Sequence, residues 1–193
     1  MQQIDFYQSY NLKIKQAIKQ INLQKLCLMS DCLWDVLQSK RQVFLCGNGG
    51  SAANAIHIAN DFIYGIGKRS DAAMKVHALP ANQSILTCLA NDISYDEVFS
   101  YQLEALAQRD DILIALSGSG NSPNIVKAIE TAKNIGIRTF AILGYDGGRC
   151  HEIAENSIHI PINDMQISED MQLVVGHMIM QWLRQRMLSD SGS

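Results

Sequence analysis

The sequence predicts an α/β fold in which a parallel sheet is covered by helices on both faces. Short strand-forming runs alternate with longer segments of helical period, the pattern of parallel crossover units. The runs around Leu113 and Ala141 are apolar on both faces, as strands lying between two helical layers must be. The only prolines, Pro80, Pro123 and Pro161, fall where strands or helices should begin or end, the places that best tolerate a missing N–H.

The first 40 residues contain neither Gly nor Pro and read as helix, with an apolar stripe of Ile14, Ile18, Ile21, Leu26, Met29, Leu33 and Leu37 and a break near Ile21-Asn22. Such an arm either covers its own core or pairs with another subunit, and the stripe serves both equally. Strands are expected at 43–46, 74–79, 111–116, 139–143 and 157–161. Helices are expected at 51–64, 83–89, 95–107, 123–135, near 149–154, and at 168–188. Ser122 suits the cap and Pro123 the first turn of the helix at 123–135, and Gly136 is its natural stop. No linker, repeat or biased tract divides the chain, so 1–193 reads as one domain with a frayed tail at 189–193.

Hydrophobic residues make up 47% and charged residues 18%, which describes a compact soluble protein. A net charge of −3 gives no electrostatic reason to expect nucleic acid as partner. The start, Met-Gln-Gln-Ile-Asp-Phe, lacks a basic segment leading into an apolar core, and no apolar run approaches the ~20 residues of a membrane helix. The five cysteines, Cys27, Cys32, Cys46, Cys88 and Cys150, are odd in number and form no C-x-x-C pair. Buried reduced thiols in a cytoplasmic protein, with no membrane partner, are the expectation.

Two turns carry the chemistry. After the first strand, Cys46-Gly-Asn-Gly-Gly-Ser51 brings flexible backbone to the start of a helix that carries His57 and Asp61 four residues apart, on one face. Gly47-x-Gly49-x-x-Ala52 also fits a dinucleotide fingerprint, but the next strand (Met-Lys-Val-His-Ala-Leu-Pro) ends without the acid that would hold the ribose, so no nucleotide cofactor is expected. After the third strand, Ser117-Gly-Ser-Gly-Asn-Ser122 offers three hydroxyls and a helix N-terminus at the carboxyl end of a strand, a good seat for a phosphate monoester. Ser119 is not in a G-x-S-x-G elbow, because positions 117 and 121 are Ser and Asn. Glu169 and His177 lie eight apart on the last helix, a little over two turns, and can share a side. A lone His on such a helix is ordinarily a packed core residue; with His57 and Asp61 it could instead join a zinc-type site or a proton-transfer set, and spacing does not decide between those uses.

Taken in order, the cradle at 46–51 with His57, Leu89-Ala-Asn-Asp92, the serine loop, Gly144-Tyr-Asp-Gly-Gly148 and His177 resemble the sugar isomerase (SIS) domain proteins, and among them the phosphoheptose isomerases. The resemblance spans nearly the whole chain. It implies a three-layer, flavodoxin-like SIS fold on a five-stranded parallel sheet, and a homotetramer with active sites at subunit interfaces. It implies interconversion of sedoheptulose 7-phosphate and D-glycero-D-manno-heptose 7-phosphate, feeding the heptose of lipopolysaccharide or capsule.

Carried over by position, the resemblance makes Asn48, Gly49, Gly50, Ser51, Asn91 and Asp92 substrate-binding, with Ser117, Gly118, Ser119 and Ser122 on the phosphate. It makes Asp61, Glu169 and His177 the catalytic candidates, with Glu169 also touching substrate. His57, Asp61, Glu169 and His177 would hold one zinc per subunit. The chain departs from the family pattern at three places: Asp61 stands where Glu is usual, Glu169 where Gln is usual, and Gly118 where the loop usually has Thr. Some SIS relatives resemble non-catalytic phosphosugar sensors or partners of other proteins, including one associated with a replication initiator. That reading, and isomerisation of another sugar phosphate, are the alternatives to heptose chemistry.

Overall fold

The structure is a computed structural model that describes residues 2–68 and 73–191. Two helices, α1 (Gln3–Lys19) and α2 (Leu23–Gln38), precede the first strand. The break falls where expected, and Asn22 caps α2 by accepting a hydrogen bond from the Lys25 amide at 3.1 Å. Then follow β1 (Gln42–Cys46), α3 (Gly50–Asn60), β2 (Lys75–Ala78), α4 (Gln83–Asp92), α5 (Ser100–Leu106), β3 (Ile112–Ser117), α6 (Pro123–Ile135), β4 (Arg138–Leu143), α7 (Gly148–Ile153), β5 (Asn156–His159) and α8 (Met165–Ser191).

The five strands are parallel in the order β2-β1-β3-β4-β5, the flavodoxin-like doubly wound arrangement. Strand alternation sends Val43, Leu45, Ile112, Ile114, Phe140 and Ile142 to one face, under α1, α2, α3 and α8. Phe44, Leu113, Ala115, Ala141 and Leu143 go to the other, under α4 to α7. All six residues of β3 are buried, as a strand covered on both faces requires. The strand order reverses between β1 and β3, so a crevice opens outside their carboxyl ends, where the two turns lie.

Four details differ from the sequence reading. The stripe on the arm is split: α2 is buried on a broad face, whereas Ala17 is the buried residue of α1 and Ile18 is 46% exposed. Tyr10 and Lys13 tie α1 to the start of α8 through Asp170 (2.9 Å) and Asp164 (3.0 Å). The helix expected at 51–64 is α-helical to Asn60 and then widens into a π turn, Asp61–Gly65. The helix expected at 95–107 is a 3-10 turn, Tyr95–Glu97, followed by α5, because the Ser94 hydroxyl caps the Asp96 amide and starts a separate turn. Finally, α8 begins three residues early, with Asp164 accepting from the Ser168 hydroxyl and amide through its carbonyl.

Candidate active site

The first turn leads into α3. Gly49 has φ +54°, a conformation that favours glycine. A Cβ on Gly50 would fall 2.3–2.4 Å from the carboxyl atoms of Glu169, so the Glu169 carboxylate lies directly over the α3 N-terminus, where the helix dipole favours an anion. The second turn follows β3. The Ser117 hydroxyl accepts from the Gly120 amide at 3.0 Å and the Ser119 hydroxyl from the Asn121 amide at 3.3 Å. Ser122 occupies the N-cap position of α6, but its hydroxyl makes no capping bond. Beside Gly118 the Met165 thioether fills the space: a Cβ there would meet its sulfur at 2.5 Å, so a Thr at this position would need the methionine to move aside.

Together these elements line a cleft of about 250 Å³, formed by Asn48, Gly49, Gly50 and Ser51 from the first turn, Ser117, Gly118, Ser119 and Ser122 from the second, and Met165 and Glu169 from α8. Asn91 and Asp92 do not line it. They sit exposed at the end of α4, where Asn91 donates to Asp92 at 2.8 Å and, with the Cys88 thiol, holds that carboxyl below its usual range. A larger hollow of about 670 Å³ beside β2 has one titratable group, His77, and its imidazole is engaged with Gln42 at 2.9 Å.

A second feature lies along α3 and α8, which run side by side. Gly176 permits their approach: a Cβ there would meet Ile58 Cγ1 and Cδ1 at 2.8 and 2.9 Å. Buried polar groups fix the register, with Gln172 Nε2 donating to the Ser51 hydroxyl (2.9 Å) and Asn54 Nδ2 donating to Gln172 Oε1 (3.0 Å) and the Glu169 carbonyl (2.9 Å). Farther along, the Nε2 atoms of His57 and His177 stand 2.9 Å apart, and Asp61 Oδ2 lies 3.6 Å from the first and 3.4 Å from the second.

These three atoms form a donor set for a divalent cation. Ligands at ~2.0–2.1 Å around a tetrahedral zinc stand about 3.3–3.4 Å apart, so the two carboxylate–imidazole separations and the N,N,O chemistry fit such an ion, and the imidazoles at 2.9 Å would have to part slightly to take it. Side-chain exposures of 48% for His57 and 40% for His177 leave it reachable from solvent. Glu169 is not within this set. Eight residues, about 12 Å along the axis, separate it from His177, and it faces the cleft instead. The sequence reading did not find Asn54, Gln172, Met165, Asn124 or Tyr95. Their partners lie on other elements, and none belongs to a motif.

The described residues thus place an anion cradle at the start of α3 and, about two turns farther along, an N,N,O group drawn from α3, the π turn and α8. A sequence profile of the SIS domain matches residues 5–144. A phosphoheptose isomerase of Akkermansia muciniphila is 42% identical over 145 residues, covering 75% of this chain and 76% of that protein. A phosphoheptose isomerase of Helicobacter pylori is 35% identical over 178 residues, covering 91% and 92%. The solved structure of a phosphoheptose isomerase from Neisseria gonorrhoeae superposes with a TM-score of 0.86 at 25% identity, covering 94% of this chain and 97% of that one. The chain therefore belongs to the SIS domain family, in which it groups with the phosphoheptose isomerases.

Proposed function

We propose that this protein is an aldose–ketose isomerase that interconverts sedoheptulose 7-phosphate and D-glycero-D-manno-heptose 7-phosphate for surface polysaccharide. The observation that carries the reading is the phosphate-type cleft at the β1–β3 switch point with the His57, Asp61 and His177 group beside it. The serine loop holds the phosphate, so that binding energy remote from the reaction orients carbons 1 and 2. Asn48 to Ser51 hold the sugar, whereas Asn91 and Asp92 stand exposed at the end of α4, outside the cleft.

A carboxylate, Asp61 or Glu169, takes the proton from C1 of the ketose. The C–H electrons become the C1–C2 double bond of an enediol as the C2 carbonyl oxygen gains a proton; the C1 hydroxyl then gives up its proton and becomes the aldehyde carbonyl, and the double-bond electrons take the carboxylic acid's proton at C2. Asp61 faces the two histidines, whereas Glu169 faces the cradle. His57, Asp61 and His177 would hold one zinc, with Glu169 reaching it only after a change of rotamer or helix position. When bound, zinc supplies a Lewis acid for the sugar oxygens. An imidazole nitrogen that ligates a cation has no proton to give, so His177 serves as general acid on the sugar oxygen only in the metal-free enzyme.

The assembly is a homotetramer in the cytoplasm, with sites at the interfaces. Ile56, Ile63, Tyr64, Met178 and Trp182, each at least 39% exposed and on the elements that carry His57, Asp61 and His177, support that arrangement. Free cysteines support a reducing compartment. The test is proton NMR of the purified protein with sedoheptulose 7-phosphate, with and without chelator. Appearance of the aldose signals is expected, and loss with chelator assigns a working role to the metal. A spectrum that stays unchanged over hours at micromolar protein refutes the reading.

A further inference from the structure

Asn124 is 1% exposed, yet it is an amide at the second position of α6, where it makes no capping bond. Its partner lies 76 residues away in the other turn. Asn124 Nδ2 donates to Asn48 Oδ1 at 2.8 Å, and Asn48 Nδ2 donates back to Asn124 Oδ1 at 2.9 Å. The Tyr95 hydroxyl donates to the same Asn48 oxygen at 3.1 Å. Both acceptor sites of the Asn48 oxygen and one of its two N–H donors are therefore occupied, which leaves one N–H for a ligand.

We infer that Asn124 is a positioning residue that locks the Asn48 amide and couples the sugar-holding turn to the phosphate-holding loop, with Tyr95 as the third member. The sheet alone sets the two turns as neighbours, since β1 pairs with β3. The strands end before the turns, however, and the reciprocal amide pair is the side-chain bond that joins Asn48 of one turn to the helix opening from the other. A fixed distance between phosphate seat and sugar seat is what an isomerase needs to place C1 and C2 against a base. The inference rests on the cleft's proposed use for a sugar phosphate and concerns how its two halves are held together.

The test is a double-mutant cycle of Asn48→Ala, Asn124→Ala and the pair, read by turnover of sedoheptulose 7-phosphate and by the Kd values of that sugar phosphate and of inorganic phosphate. Asn124→Ala should lower kcat/KM about 10- to 100-fold, the scale of a 1 Å misplacement, while inorganic phosphate binds within about twofold of wild type. The double variant should be no worse than Asn48→Ala alone, because Asn124 acts through Asn48. Multiplying effects, or a parallel loss of inorganic phosphate binding, overturn the inference by marking Asn124 as a structural part of the loop. Should Asn124→Ala not fold, Asn124→Ser, too short to reach Asn48, carries the same cycle. If the wild type binds sedoheptulose 7-phosphate without turning it over, the proposed reaction fails, and the cycle is read from the two Kd values. If it binds that sugar phosphate no more tightly than inorganic phosphate, the positioning role fails too.

Discussion

Gly176→Ala should uncouple stability from function. Alanine is worth about 1 kcal/mol over glycine in a helix interior, so propensity alone predicts a more stable protein. Here the new Cβ would stand 2.8 Å from Ile58 Cγ1 and 2.9 Å from Cδ1, whereas carbon atoms prefer ~3.5–4.0 Å. The shortfall of about 1 Å must be met by Ile58 or by the helices. Ile58 is 2% exposed and β-branched, so it has little rotamer freedom, and the helices must part. Overpacking of this kind costs about 1–3 kcal/mol, leaving a net change of roughly 0–2 kcal/mol of destabilisation. The functional cost is larger, because His57 and His177 flank the contact on the two helices and their Nε2 atoms stand 2.9 Å apart. Displacement by about 1 Å should reduce turnover of sedoheptulose 7-phosphate about 100-fold and weaken zinc in a chelator competition. Ile58→Ala removes both Cγ1 and Cδ1, so the double variant Ile58→Ala/Gly176→Ala should recover much of the lost turnover and zinc affinity, at the stability cost of a truncated core side chain. Wild-type turnover and zinc affinity in Gly176→Ala, with a raised Tm, would refute the claim that glycine at 176 sets the spacing of the donors.

Three further expectations follow from particular contacts. Loss of one imidazole from the N,N,O set, by His57→Ala, should lower zinc affinity at least 100-fold in a competition titration while the fold persists, since the side chain is half exposed; unchanged affinity places the ion elsewhere. Gln172→Leu fills the same space but takes away the Ser51 hydroxyl's donor and one acceptor of Asn54, costing about 1–3 kcal/mol in urea unfolding; a change under about 0.5 kcal/mol rejects the network as a determinant of register. Glu97 is held below its usual carboxyl range by the Lys127 ammonium and then by the Ser100 hydroxyl. Its folded pKa is depressed, so its stabilisation is present above the unfolded pKa of ~4.3 and disappears as pH falls through the lower folded value. Wild type should therefore exceed Glu97→Gln in stability at pH 7, and the gap should close as pH falls through the folded carboxyl's depressed value; a gap that stays constant on acidification excludes the ionised pair as its cause.

The fold could be read because its signals are local. Binary patterning, the Gly and Pro boundaries, and the Ser122-Pro123 start with its Gly136 stop are carried by neighbours in sequence, and α6 spans the expected residues. Both turns were readable for the same reason, since glycines after a strand report backbone demand directly. The arm and its break near Ile21-Asn22 were readable, but not the different surroundings of the two helices. Its apolar periodicity states that a face exists, not what covers it. The polar joints had no local signal at all: Asn48 finds Asn124 across 76 residues, and Ser51 finds Gln172 across 121.

The exchange of acids at positions 61 and 169 shows what spacing could not resolve. On the family pattern, Glu at 61 and Gln at 169 place the charge on α3 and a neutral amide on α8. This chain keeps an acid at 61, one methylene shorter, and adds a second at 169. Asp61 still reaches both histidines, at 3.4 and 3.6 Å, because it opens the π turn while Gly176 lets α8 come close. Glu169 lies over Gly50, where a helix N-terminus favours its negative charge and the cleft floor is within its reach. Helical spacing allowed Glu169 and His177 to share a face, but it is the partner helix that assigns each to a different neighbour: Gly50 at the start of α3 for one, His57 two turns later for the other. The Glu169 carboxylate lies over Gly50 and outside the His57, Asp61 and His177 group, so a cation held by those three would leave its oxygens unligated.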